Sequence, residues 1–519
     1  MAPERGALAP GSGVPAGSGR VGAFLLTPAF ALLFVLLLAL VWSLLPTWLQ
    51  TVPHADNVEQ VNWAHSLEWG YLKHPPLPTW LLRGATGVFG PSALLTNALA
   101  MSCVALTLLG LWRCAILLLD RQGALLVLLL SSANYYLMGR GSFLNHNTVM
   151  LPLVAASAWA VLRIVRDGAA AAWPVWLLLG LAQGLGMLTK YQMALVIAAN
   201  LVSLLGLGAW RQPRFVAHAA LAVLATLLPL LPHFLWLRQH DYSTFAYAGQ
   251  SLLADLPAGQ RLIHTLGFLL QQLGRFAPAI VAAGLALWWT RRAARPAATG
   301  QTRGLAPAPA SGSEELRALA LLTLTPIALI VALSLFAGVA LQNHWGASST
   351  LLLPLLAVVA WPRLRQVAVA PMLAAVLAAH ALAAAWNVET AFRQPEFHYT
   401  FAARPLARMA LAYWQEHTPG QLQIVIGPDW EAGAIGLELP SHPDVIASGE
   451  RQQAPWVSDE RIAQCGALVV WRTERPPQEQ IGGVFAGRVQ DPRQLQAQGG
   501  HGAVSTLEVG ILAPAARGC

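Results

Sequence analysis

Residues 23–45 read AFLLTPAFALLFVLLLALVWSLL, a run with no charged side chain. About 20 apolar residues are enough to cross a bilayer core. The run therefore predicts a membrane-spanning helix, and it is too long for a typical signal-peptide core, so it is expected to remain in the chain. Residues 1–22 before it are mostly Ala, Gly, Pro and Ser with Arg5 and Arg20. They predict a disordered tail on the cytoplasmic side. The whole chain has the same character: of 519 residues, 56% are hydrophobic and only 11% charged. Ordinary globular domains carry roughly 25% charged residues.

Further apolar runs cover 92–119, 123–138, 148–162, 173–189, 193–210, 215–237, 276–290, 318–341, 345–361 and 367–388. Together they predict an all-α polytopic membrane region over 23–388, with about 11 transmembrane helices (range 10–13). Alternating the spans from a cytoplasmic N-terminus puts Arg121, Arg163 with Arg166, Arg211 with Arg214, Arg291 to Arg317, and Arg363 with Arg365 inside. Lys73, Arg83, Arg140, Lys190, Arg238, Arg261 and Arg275 then fall outside. That asymmetry obeys the positive-inside rule and places the C-terminal tail in the periplasm. Residues 291–315, rich in Ala, Pro, Gly and Ser, predict a flexible cytoplasmic linker. The outer segments 46–90 and 238–275 are too polar to cross, and 261–275 has the pattern of an interfacial helix.

Residues 389–519 differ in composition. They hold 14 acidic and 10 basic residues, against 10 and 22 in the longer part before them. Runs at 422–426, 467–471 and 506–512 read as strands, and 405–416 as an amphipathic helix, so a small soluble α/β domain is expected. The formal charge of +8 does not imply nucleic acid, because the basic excess lies between apolar runs. Of four cysteines, Cys103 and Cys114 fall in an apolar run; Cys465 and Cys519 lie in the tail, where an oxidising face would let them pair.

The chemistry-bearing residues gather in the first outer loop: His54, Asp56, Glu59, Trp63, His65, Glu68, Trp69, Tyr71, Lys73 and His74, ahead of Pro75-Pro76. Asp56, Glu59 and Trp63 share one face if 56–67 is helical. On residues alone this is either a solvated loop with interfacial aromatics or a reaction site. No G-x-x-x-x-G-K-[ST] loop and no Cys-x-x-Cys pair occurs, which disfavours an ATP-driven pump.

The loop resembles the first periplasmic loop of the GT-C membrane glycosyltransferases, the superfamily of protein O-mannosyltransferases and aminoarabinose lipid A transferases (glycosyltransferase family 39 or 83-like). Asp56, Glu68-Trp69-Gly70-Tyr71 and Lys73-His74-Pro75-Pro76-Leu77 stand where that family has its acid, its Trp-Gly-Tyr and its His-Pro-Pro. Gly184-Leu185-Gly186-Met187-Leu188-Thr189-Lys190-Tyr191 and Asn343-His344-Trp345 resemble two later elements. Two positions depart from the pattern: Asn57 follows Asp56 where a second acid is usual, and Asn147 stands where the second loop has an aspartate.

The resemblance implies a GT-C fold and an inverting glycosyltransferase. It would move a sugar from a polyprenyl phosphate donor to a lipid A, glycan or protein acceptor at the periplasmic face of a bacterial inner membrane. Asp56 is the expected catalytic base, its pKa raised by partial desolvation. Lys73 and Lys190, with Arg140 or Arg83, suit the departing lipid phosphate. Glu59, Trp63, His74, Asn147, Tyr191 and His344 complete the expected substrate-binding set. No cofactor is called for; a divalent cation held by His54, Asp56 and Glu59 is the weaker alternative, since the spacing matches no strong ligand signature. The tail is expected to shape the acceptor entrance. The competing readings are a transporter or flippase of a lipid-linked sugar, and a non-catalytic relative serving as an assembly subunit. The near absence of carboxylates from the spans speaks against the former.

Overall fold

A computed structural model describes residues 22–252, 256–293, 312–393 and 396–515. The N-terminal tail, most of the 291–315 linker and Cys519 lie outside the described residues, so the expected disorder and the Cys465–Cys519 pairing fall there too.

Among the described residues, six helices are long and apolar enough to cross a membrane: Pro28–Leu49, Ala93–Leu118, His146–Asp167, Phe215–Gln239, Ser313–Ala337 and Val369–Arg393. A seventh candidate is a bent pair, Ala258–Arg275 and Ala277–Ala293, meeting at 51°. Arg121–Ser132, Trp173–Met187 and Met193–Gly206 are shorter apolar helices. Every apolar run of the sequence is thus helical, but several are too short or too broken to match the expected span as drawn. The run at 123–138 stops at Ser132 and continues as two 3₁₀ turns. The run at 345–361 is divided into Gly346–Ser349 and Leu353–Ala360.

Local chemistry marks the helix starts. Thr27, Ser92, Asp120 and Asn145 each accept a hydrogen bond from a backbone N–H of the first turn. Leu32, Leu33, Leu36, Leu37 and Leu40 of the first long helix are about half exposed, a contiguous apolar face suited to lipid. The Trp173–Met187 helix closes against Phe215–Gln239 through Gly180 and Gly184. A Cβ on Gly184 would lie 2.5 Å from the Thr226 carbonyl oxygen, and one on Gly180 2.3 Å from that of Ala222. Small residues four apart permit this approach of backbones.

The tail forms a five-stranded sheet of order β2-β1-β3-β5-β4, from β1 Ile424–Gly427, β2 Asp444–Ala447, β3 Ala467–Trp471, β4 Gln490–Gln498 and β5 Val504–Leu512. β1 pairs parallel with β2 and β3; β5 runs antiparallel to β3 and β4. The expected helix appears as Ala403–His417. β2 and β4 went unread in the sequence. β2 is only four residues long. β4 is a polar edge strand carrying Pro492 with an irregular register beside it, and lacks the apolar alternation that marks a strand.

This α/β unit packs directly on the first outer loop. Val52 and Val58 join the core of the sheet layer. The Trp430 indole N–H donates to the Pro53 carbonyl at 3.2 Å. Gly433 lies so close to Val58 and Asn62 that a Cβ would meet them at 2.4 and 2.6 Å.

Candidate functional site

Asp56 sits in the first turn of helix Ala55–Trp63, capped by His54, whose Nδ1 accepts from the Asp56 backbone N–H at 3.4 Å. The helix is short because Pro53 precedes its cap and the chain turns after Trp63. The Asn145 side-chain amide donates to Asp56 Oδ2 at 2.7 Å, and an Arg140 guanidinium nitrogen lies 3.9 Å from the same oxygen. Arg140 stacks on Phe143 with its guanidinium carbon 3.8 Å from the ring centre, and the His54 ring covers Phe143 at 3.6 Å. Partial burial by itself would raise the Asp56 carboxyl. His54, the Asn145 amide and Arg140 outweigh it and hold Asp56 below its usual value. The expected upward shift is therefore reversed, because cationic and donor groups surround the carboxylate.

The four stretches singled out in the sequence meet here. The Leu77 backbone N–H donates to the Leu188 carbonyl at 2.9 Å, tying Lys73–Leu77 to the Gly184–Tyr191 stretch. The Lys190 ammonium donates to Asn147 Oδ1 at 2.9 Å. The Gln192 amide donates to the Trp345 carbonyl at 2.8 Å and to Ser348, fixing the His344 turn beside Lys190. A partly open cleft is lined by Tyr136, Arg140, Asn145, Asn147, Thr148, Leu151, His344 and Ala347. Burial brings the Lys190 ammonium down to about 7 against the pull of Asp56. Burial, with Lys190 and Arg140 nearby, brings His344 down to about 3, so His344 is a neutral hydrogen-bonding group at neutral pH. One guanidinium nitrogen of Arg140 is buried with no hydrogen-bond partner among the described residues.

Other expected site residues take different places. Glu59 binds Lys73 at 2.6 Å, and Asp429 of the α/β unit approaches the same ammonium at 3.5 Å. Burial alone would lower Lys73; Glu59 and Asp429 raise it above its usual value. Trp63 is buried, stacked on Tyr71 at 5.2 Å and edge-on to His74 and His146. His74 and His146 rings lie 4.0 Å apart. Tyr191 bonds to His233 and Thr244 through its hydroxyl and stacks on Phe245. Arg83 is spent on the Ala64 carbonyl at 3.1 Å. His54, Asp56 and Glu59 do not form a cluster arranged for a metal ion among the described residues.

Asn57 has a structural explanation. It is fully buried, its amide donates to Thr96, Asn97 and the Ser142 carbonyl, and its oxygen accepts from the Leu144 backbone at 2.8 Å. Three acceptors face its nitrogen, an arrangement a carboxylate cannot satisfy. Sequence reasoning also missed Asn145, the direct partner of Asp56. Its signal was adjacency to the second outer stretch and its place as a helix cap, where Asn is favoured. Arg275 was missed as well: it stacks on Tyr135 at 4.1 Å and approaches Tyr136 on the cleft wall at 5.9 Å.

Comparison with known proteins agrees with this architecture. Residues 73–236 match the dolichyl-phosphate-mannose-protein mannosyltransferase family. The chain is 27% identical over 216 residues to the lipopolysaccharide core galacturonosyltransferase RgtA of Rhizobium johnstonii, covering 40% of this chain and 41% of that one. It is 26% identical over 235 residues to the lipid A galacturonosyltransferase RgtD of the same organism, covering 43% and 46%. The matched stretch thus spans less than half of either relative's length. The crystal structure of ArnT from Cupriavidus metallidurans bound to undecaprenyl phosphate superposes with a TM-score of 0.62 at 15% identity, over 97% of this chain and 100% of that one. At that identity the match shows the fold. The chain resembles the GT-C membrane glycosyltransferases, as its motifs indicated.

Proposed function

We propose that the protein is an inverting membrane glycosyltransferase. It takes a sugar from a polyprenyl phosphate and places it on a lipid, glycan or protein acceptor at the periplasmic face of a bacterial inner membrane. The observation that carries the reading is the carboxylate of Asp56 held by Asn145 and Arg140, two residues that line one cleft together with Asn147 and His344. The Lys190 ammonium joins the same wall through its bond to Asn147 at 2.9 Å, so one carboxylate and two cationic side chains meet at one place.

The chemistry follows from the arrangement. The acceptor O–H gives its proton to Asp56 as the oxygen bonds to the sugar's anomeric carbon. The bond from that carbon to the donor phosphate breaks, and its electron pair leaves with the polyprenyl phosphate. The depressed Asp56 carboxyl stays ionised at neutral pH, so the base is always available, and proton uptake develops as the acceptor oxygen loses charge to carbon. The unpartnered guanidinium nitrogen of Arg140, with the Lys190 ammonium, stabilises the leaving phosphate. Neutral His344 and Asn147 supply hydrogen bonds to sugar or phosphate. No step calls for a cofactor.

The membrane part over 23–388 holds donor and cations, and the unit over 389–519 roofs the acceptor side. The names of the curated relatives favour a glycolipid acceptor of the lipid A or core type and a uronic acid as the first sugar to assay. The test is transfer by the purified protein in lipid nanodiscs from labelled polyprenyl phosphate galacturonate to lipid A, core glycolipid and a peptide mixture. Labelled glycolipid is the expected product. Donor movement across the bilayer with no labelled acceptor of any class would refute the reading in favour of a flippase.

A further inference from the structure

Asp429 opens the helix Asp429–Glu438, directly after β1 and Pro428. Ser448 follows β2, the parallel neighbour of β1, and takes a left-handed backbone with φ 52°. The carboxyl ends of two adjacent parallel strands thus present a carboxylate and a hydroxyl side by side, the edge at which open α/β sheets usually place functional groups. The Ser448 hydroxyl donates to Asp429 Oδ1 at 2.7 Å, which aims the other oxygen at the Lys73 ammonium 3.5 Å away. From the opposite side Glu59 accepts from the same ammonium at 2.6 Å.

Lys73 sits in a tight turn. Tyr71 and His74 exchange backbone hydrogen bonds at 3.0 and 3.2 Å, so Leu72 and Lys73 between them cannot shift without moving His74. His74 packs on His146, the neighbour of both Asn145 and Asn147. The contact of Gly433 with Val58 and Asn62 fixes the Asp429 helix against the Asp56 helix. Asp429 is 46% exposed: one of its oxygens accepts from Ser448 within the α/β unit and the other faces Lys73 outside it.

We propose that Asp429 is a positioning residue of the transfer site: with Glu59 it fixes the Lys73 ammonium, and through it the Tyr71–His74 turn, so that the α/β unit completes the site. The inference rests on the transferase reading for its activity arm, and on nothing but the chain for its labelling arm.

The chain has only two lysines, Lys73 and Lys190. Acylation of the purified full chain at pH 8 with an acetyl N-hydroxysuccinimide ester, read by mass spectrometry, therefore reports each ammonium separately. Asp429→Asn should speed acylation of Lys73 by about 3–10-fold, because one carboxylate no longer holds the amine protonated, and leave Lys190 unchanged. Ser448→Ala should move it the same way by less, which covers a failure of Asp429→Asn to fold. Asp429→Glu should restore the slow rate. In transfer, Asp429→Asn should lower kcat/KM by about tenfold, with recovery in Asp429→Glu. Unchanged Lys73 labelling in Asp429→Asn, alongside faster labelling in Glu59→Gln, would overturn the contact. Transfer by Asp429→Asn within about twofold of wild type would overturn the positioning role. A wild-type protein with no transfer activity would sink the functional reading alone, because the labelling result still decides whether Asp429 holds Lys73.

Discussion

Asp56→Asn separates catalysis from folding. The side chain keeps its shape, and an amide oxygen at position 56 still accepts from Asn145, now 2.7 Å from the carboxylate. What the fold loses is the attraction to Arg140 at 3.9 Å, with Asp56 37% exposed. Solvent screening holds such a pair to about 0–1 kcal/mol. What the reaction loses is its base, worth roughly 10²–10⁴-fold, or about 3–5 kcal/mol of barrier. The two effects differ enough to be read independently. Single-turnover transfer, donor binding and thermal unfolding should be measured on the same preparation. The expected outcome is a rate loss of at least about a hundredfold, with donor affinity preserved and the unfolding temperature shifted by no more than a few degrees. A rate within about threefold of wild type refutes Asp56 as the base and, with it, the reaction scheme. Loss of donor binding instead would show that Asp56 acts by holding Arg140 in place for the phosphate.

Lys190 carries a pH prediction. Its ammonium is brought down to about 7 by burial, and the charged form exists below that value. Donor affinity should therefore weaken as pH rises through about 7, and Lys190→Arg, which stays charged, should flatten the limb; wild-type affinity constant over about pH 6–9 would contradict it. Asn57→Asp should destabilise the protein by about 3–5 kcal/mol, because a buried carboxylate would face Thr96, Asn97 and the Ser142 carbonyl without a cation. An unchanged unfolding temperature would revive the view that Asn57 is merely a substituted acid. Gly184→Ala places a Cβ 2.5 Å from the Thr226 carbonyl and should cost about 1–3 kcal/mol as the two helices separate; a variant as stable as wild type would show that the helices pack less closely than described.

The sequence alone determined that this is a membrane protein of helices with a small C-terminal α/β unit, and it pointed to the acidic first loop. Both readings rest on local properties. Uncharged runs have no other stable place than a bilayer or a buried core, β3 announces itself by an apolar run, and β5 by the alternation of Leu507, Val509 and Ile511 with Thr506, Glu508 and Gly510. The number of full crossings was not legible, because run length does not reveal where a helix ends within an apolar stretch: 123–138 stops at Ser132 and 258–293 bends by 51°. β4 was invisible because an edge strand of Gln, Asp, Pro and Arg owes its shape to pairing with β5. Within the site, Asp56, Lys190 and His344 were named from their stretches, yet what each touches depended on packing. Only the tertiary structure put Asn145 on Asp56, made Asn57 an amide bridge, and spent Lys73 on Glu59 and Asp429. Residue type and spacing fix what a side chain can do, whereas its partners, and so its charge state, are set by segments far apart in the chain that meet only when the helices and the α/β unit close on one another.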